Sequence, residues 1–177
     1  MTSPAVERPG PASRRTTPPP GATVPEPVER SVPEPMEQYG GCFGCGPEPA
    51  DGLRISHKGE SGLVVESEFA VREVHQGAPG LAHGGLLATA MDEVLGEAAW
   101  RTGKPHVTGR LETDYLTPVP VGGTLYLRSW VTGVDGRKTY VEGEARIGGR
   151  EGAVAVRAAG LFIAVGTEHF TKDRTNG

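Results

Sequence analysis

Between Gln76 and Asp92 the chain reads QGAPGLAHGGLLATAMD, and this stretch holds the residue types best placed to do chemistry. His83-Gly84-Gly85 stands at a helix start, and a single acid, Asp92, follows nine residues after His83. Amides in the first turn of a helix lack intrahelical partners and carry the positive end of the helix dipole. A carbonyl docked on them is polarised, and an oxyanion that develops there is stabilised. Glycine, with no Cβ, gives a substrate the closest approach to such an amide. A carboxylate within the helix is suited to act as general base for water or as a nucleophile. Along the axis, His83 and Asp92 are separated by roughly 13 Å at 1.5 Å per residue. One carbonyl cannot touch both in one copy. If both act on it, two copies of the chain supply them, which predicts a homodimer or a higher homo-oligomer with sites between copies.

The elements that must hold these residues follow from periodicity. Leu87, Ala90, Met91, Val94 and Ala98 share one helical stripe, which predicts a core-facing helix over Gly84–Arg101. Glu93, Glu97 and Arg101 line a wetter side. Asp92 sits in a lane with Gly85, Ala88, Thr89, Gly96 and Ala99, small residues that leave room for a ligand or a partner backbone, and with Leu95. Before the helix, Leu53–His57 and Leu63–Val71 read as strands. After it come His106–Leu116, Thr124–Val134, Lys138–Ile147 and Ala153–Val165, divided by Pro118-Val119-Pro120, Asp135-Gly136 and Gly148-Gly149. Asp-Gly is a strong hairpin signal. Two strands, a long helix and four strands in hairpins predict an α+β domain with an antiparallel sheet curled around the helix.

Composition narrows the function. Of 16 prolines in 177 residues, ten fall within residues 1–38, a stretch with no Leu, Ile or aromatic residue. It buries too little apolar surface to offset the entropy of ordering, which predicts a disordered Pro-rich tail over 1–38. The folded domain is expected over 39–166, with a flexible C-terminal tail over 167–177. A net charge of −4 without a basic stripe argues against nucleic-acid binding. No apolar run reaches the roughly 20 residues of a membrane span. The absence of a secretory signal pattern and the presence of only two cysteines fit a cytoplasmic protein.

The order of elements, with the helix opening on His83-Gly84-Gly85, resembles the hotdog fold and specifically the PaaI-type acyl-CoA thioesterases. The residues that carry the resemblance are Gly77-x-Pro79-Gly80-x-x-His83-Gly84-Gly85, Asp92, Thr108, Tyr115-x-x-Pro118-x-Pro120, Gly136-Arg137-Lys138 and Leu161-Phe162-Ile163. Their spacing is closest to the long-chain branch among the thioesterase-superfamily members. The resemblance covers about residues 39–166 and implies hydrolysis of an acyl-CoA thioester without metal or redox cofactor. It also implies that Asp92 faces the Gly84 region of the other subunit, and that the Thr108 hydroxyl assists by holding water or the carboxylate.

His83 is expected either to touch the substrate carbonyl, beside Gly84 and Gly85, or to cap and pack the helix start. His75 and Gln76, just upstream, are candidates for the entrance. The resemblance implies that Arg137 and Lys138 contact the coenzyme A phosphates. Asp114, just before Tyr115, would repel a phosphate, which admits an acyl-carrier-protein thioester as substrate instead. Two other function classes fit the same fold: a dehydratase or hydratase on hydroxyacyl thioesters, and a non-catalytic acyl-CoA-binding protein. Cys42-Phe43-Gly44-Cys45 is half of a zinc pattern that His57 or His75 would have to complete. No second pair is present, so the sequence favours a structural glycine-rich turn there.

Overall fold

A computed structural model describes residues 15–28 and 39–171. Among the described residues six strands form one antiparallel sheet: β1 (Ser56–Ser61), β2 (Val64–Ala70), β3 (His106–Tyr115), β4 (Thr124–Asp135), β5 (Lys138–Ile147) and β6 (Val154–Ala164). Their spatial order is β1-β2-β4-β5-β6-β3, so β1 and β3 are the edges. A long helix, α1 (Gly84–Trp100), packs against β2, β3, β4, β5 and β6. This is the hotdog arrangement, and it follows from the sequence pattern. Leu125, Leu127 and Val131 alternate along β4 toward the helix, and all three are buried.

The stripe Leu87, Ala90, Met91, Val94 and Ala98 is buried, as its spacing predicts. Leu95 and Ala99 are buried as well, because the curled sheet covers more of the helix than one stripe. Close packing there depends on glycines in the facing strands. A Cβ on Gly143 would lie 2.8 Å from the Arg128 carbonyl oxygen and 2.8 Å from Leu95 Cδ1. Neither the backbone oxygen nor a core leucine can withdraw freely. Gly143→Ala is therefore expected to cost about 1–3 kcal/mol by overpacking, read as a lowered urea midpoint at unchanged m-value.

Local detail departs from expectation at three places. The first strand begins at Ser56 rather than Leu53, because Arg54 has φ 53°, outside extended backbone, while Leu53 and Ile55 still enter the core. Arg101, expected on a wet side, is buried: its Nε donates to the Gly62 carbonyl at 2.7 Å and its guanidinium pairs with Glu60.

Within the 1–38 stretch expected as a tail, residues 15–28 lie against the domain. Thr16 is buried and donates to Glu112 at 2.7 Å, Thr23 and Val134 exchange backbone hydrogen bonds, and the Val28 amide donates to the Arg101 carbonyl. Prolines suit such a strap because they pack without seeking a ladder donor, and Pro18 sits where a Cβ on Gly133 would be. Residues 1–14 and 29–38 lie outside the described residues. In the C-terminal stretch, α2 (Glu168–Thr171) brings Phe170 within 5.8 Å of the Trp100 ring, and 172–177 lie outside the described residues. Among the described residues no helix is long and apolar enough to cross a membrane.

Candidate active site

The start of α1 is built by the turn over residues 76–83. Gly80 takes φ 74°, which glycine supplies without strain, and its amide donates to Gln76 Oε1 at 2.8 Å. The His83 amide donates to the His75 carbonyl at 2.8 Å, and Ala82 to Val119 at 2.9 Å, fixing where the helix begins. His83 is the N-cap: its Nδ1 accepts from the Gly85 amide at 3.0 Å, and its carbonyl accepts from Leu86 and Leu87. Of the two uses expected for His83, capping is the one seen. That leaves the Gly84 amide without an acceptor among the described residues.

Tyr115, at the end of β3, secures the same turn by donating to the Gly84 carbonyl at 3.0 Å. The sequence signals Tyr115 only through the proline-spaced motif that follows it, and gives it no role. Beside the Gly84 amide lies a hollow of about 440 Å³, lined by Leu81, Leu87, Tyr115, Leu116 and Val119 among others. Its walls are mostly apolar, so it suits a hydrocarbon or pantetheine-like segment rather than a charged one.

Two turns further along α1, Asp92 is half-buried and accepts from the Thr108 hydroxyl at 2.8 Å. Thr108 reaches it because a bulge between Thr108 and Arg110 breaks the β3–β6 register there. One carboxylate oxygen is thus held, and the other accepts no hydrogen bond among the described residues. Thr108 lies at the opposite end of β3 from Tyr115, seven residues or roughly 20 Å away. The cross-strand row Thr108, Phe162 and Thr139 defines one end of the sheet, and Tyr115, Val156 and Ala145 the other. Within one copy the carboxylate and the open amide are therefore apart, and each sits beside β3, which among the described residues is an edge strand of the sheet.

The remaining candidates divide between these two ends and the core. Gln76 is spent on the turn before the helix. Gly85 has its amide taken up by the His83 cap. Arg137 and Lys138 are exposed at the β4–β5 turn, on the Thr108 end of the sheet. Asp114 is exposed on the Tyr115 end, opposite Arg157 in the register. His75, expected at the entrance, is a core residue instead: it is 1 % exposed, its ring lies 5.2 Å from Phe69, and its Nδ1 accepts from the Arg72 amide at 3.0 Å. The loop signal at His75 conceals a 3-10 turn over Glu73–His75 that folds the ring inward.

His75 and His106 are both held neutral, their pKa lowered chiefly by burial. His106 bridges two partners that suit the neutral ring: the Lys104 carbonyl at 2.8 Å takes Nδ1–H, and the Thr139 hydroxyl at 2.8 Å donates to Nε2. Below about pH 6.5 the unfolded chain takes up protons that the folded chain refuses, so stability falls as pH falls from there. His106→Gln is expected to make that fall shallower, by at most about 1.4 kcal/mol per pH unit, in urea midpoints measured between pH 7.5 and 5.

Comparison with known proteins agrees with this fold. Residues 79–154 match the thioesterase superfamily. Over 93 residues the chain is 34% identical to the acyl-coenzyme A thioesterase THEM4 of Bos taurus, covering 52% of this chain and 38% of that one. A crystal structure of a thioesterase superfamily protein, RHA08564, superposes with TM-score 0.63 at 36% identity, over 68% of this chain and 62% of the other. The E. coli PaaI protein superposes with TM-score 0.60 at 18% identity, over 64% and 81% of the two chains, a likeness of fold alone. The chain spans 28–40% of the length of the curated relatives THEM4 and THEM5 that it matches.

Proposed function

We propose that this chain, a hotdog-fold member of the thioesterase superfamily, hydrolyses an acyl-coenzyme A thioester to the free acid and coenzyme A. The observation that carries the reading is the Asp92 carboxylate, half-buried, with one oxygen held by Thr108 and the other without a hydrogen-bond partner among the described residues, beside the edge strand β3. A carboxylate so placed can take the proton of a water aimed at a carbonyl. The thioester carbonyl docks on the Gly84 amide, with the apolar hollow taking the chain on one side of it. Water adds to the carbonyl carbon as Asp92 takes its proton, and the Gly84 amide receives the oxyanion. Collapse of the tetrahedral intermediate breaks the C–S bond, and the thiolate leaves with the proton that Asp92 returns.

The distance between Asp92 and Gly84 supports a reading in which different copies supply them to one site. Two β3 edges pairing antiparallel about a centre between Leu111 and Glu112 set Thr108 of one copy opposite Tyr115 of the other. Each copy then brings its carboxylate to the other's open amide. Such pairing also closes the exposed edge, which isolated strands otherwise leave as a site of uncontrolled association.

Arg137 and Lys138, at the Thr108 end, are suited to the phosphates of coenzyme A. Replacing both by Ala is expected to raise KM several-fold for an acyl-CoA but not for the matching acyl-pantetheine thioester, which lacks the nucleotide phosphates. The reading itself is tested by free-thiol release from short, long and aromatic acyl-CoAs. Thiol release from at least one of these is expected. Conversion of crotonyl- or hydroxyacyl-CoA without free thiol would make the protein a hydratase or dehydratase. Tight binding with no turnover would make it a binding protein.

A further inference from the structure

The cysteine loop ahead of β1 converges with a residue of α1 that plays no part in the hydrolysis. The Cys42 amide donates to the Tyr39 carbonyl at 2.9 Å, and the Gly46 amide to the Cys42 carbonyl at 2.8 Å. Gly46 has no room for a side chain, since a Cβ there would lie 2.7 Å from the Cys42 amide nitrogen. This tight winding turns both thiols to one side. Glu93 reaches them from α1, across the face of Gly44, where a Cβ would collide with its carboxylate. Cys42 Sγ and Glu93 Oε2 are 3.7 Å apart, and the two thiols and the carboxylate oxygen all lie within 4.8 Å of one another. None of the ion pairs among the described residues involves Glu93. Three groups able to carry negative charge thus meet with no cation among them.

We propose that Cys42, Cys45 and Glu93 bind one zinc-class divalent cation that clasps the 39–46 loop to the middle of α1. Two thiolates and a carboxylate select zinc over magnesium or calcium, which take oxygen ligands. In a tetrahedral zinc site the donor atoms are roughly 3.6–3.8 Å apart, so the 3.7 Å pair already fits and the widest closes with about 1 Å of side-chain movement. Cys45 is solvent-exposed, leaving the fourth position to water. The sequence shows only half of this site, and neither His57 nor His75 completes it. His57 pairs with Glu60 and Glu97, while His75 is in the core. The third ligand comes from a helix 51 residues from Cys42.

The clasp would brace more than the loop. The carbonyls of Phe43 and Gly44 receive the amides of Leu53 and Ile55, which enter the core. The same segment offers the Ala50 and Gly52 carbonyls to Arg72, whose amide holds His75, and the His75 carbonyl fixes the His83 amide at the start of α1. The site lies outside the hydrolytic machinery, so it is tested by binding.

The full chain purified from zinc-supplemented medium is expected to carry about one zinc by elemental mass spectrometry. Cobalt(II) added to the stripped chain is expected to give thiolate-to-cobalt charge-transfer absorption. Stripping is expected to lower Tm, and zinc to restore it. Glu93→Gln, which keeps the side-chain shape, is expected to weaken zinc binding tenfold or more at unchanged circular dichroism, and Cys42→Ser to abolish it. The proposal is overturned by substoichiometric zinc with no cobalt–thiolate band, or by Glu93→Gln binding zinc as tightly as the native chain. A metal-free chain lighter by two hydrogens, with Cys42 joined to Cys45, overturns it equally.

Discussion

Asp92→Asn is expected to lower kcat for acyl-CoA hydrolysis about 10²–10⁴-fold, with KM changed little. Asparagine is nearly isosteric, and its side-chain oxygen still accepts from the Thr108 hydroxyl that lies 2.8 Å from the carboxylate in the native chain. The hydrogen bond, the helix and the strand edge therefore survive. What is lost is the capacity to take a proton from water at neutral pH, a property needed only as the reaction proceeds. Free-thiol kinetics on the best acyl-CoA substrate, alongside unfolding curves that show native stability, read the effect. Native turnover in Asp92→Asn would remove Asp92 as the base.

Gly84→Pro is expected to lower kcat about 10²–10³-fold, the cost of removing one oxyanion donor. Proline deletes the one helix-start amide that has no acceptor among the described residues, and it does so at the first helical position, where proline is well tolerated. His83, with φ −70° and ψ 129°, already holds the extended conformation that a residue before proline prefers. A Cβ at Gly84 meets the Tyr115 ring at 3.6 Å, an ordinary contact. The helix start is thus kept while its donor is lost. Gly84→Ala, which keeps the amide, is the control and is expected to retain most of the rate. Equal losses in the two would assign Gly84 to steric access rather than to the oxyanion.

Much of this site is legible in the chain because it depends on local spacing. The apolar stripe from Leu87 to Ala98 orients α1, and with α1 oriented, the nine-residue step from His83 to Asp92 suffices to separate the amide end from the acid. Thr108 is legible only with the family pattern, since a threonine early in a strand is otherwise ordinary. What the sequence conceals are contacts between distant segments. His75 looks like a loop histidine until Phe69 and Arg72 are seen to enclose it. Residues 15–28 look like a tail by composition, yet a few backbone bonds to Val134 and Arg101 and one buried threonine set them on the domain. Tyr115 and Glu93 act across 31 and 51 residues, where no periodicity reports.

The sharing of each site between two copies is tested most directly by mixing the two disabled variants. Asp92→Asn and Gly84→Pro chains carrying different tags are co-expressed, and the mixed dimer is isolated through both tags. One of its sites then carries both defects and the other carries neither. The mixed dimer is expected to recover about half of native activity, far above either parent. A mixed dimer as inactive as its parents would place Asp92 and Gly84 in the same copy's site and contradict the shared arrangement.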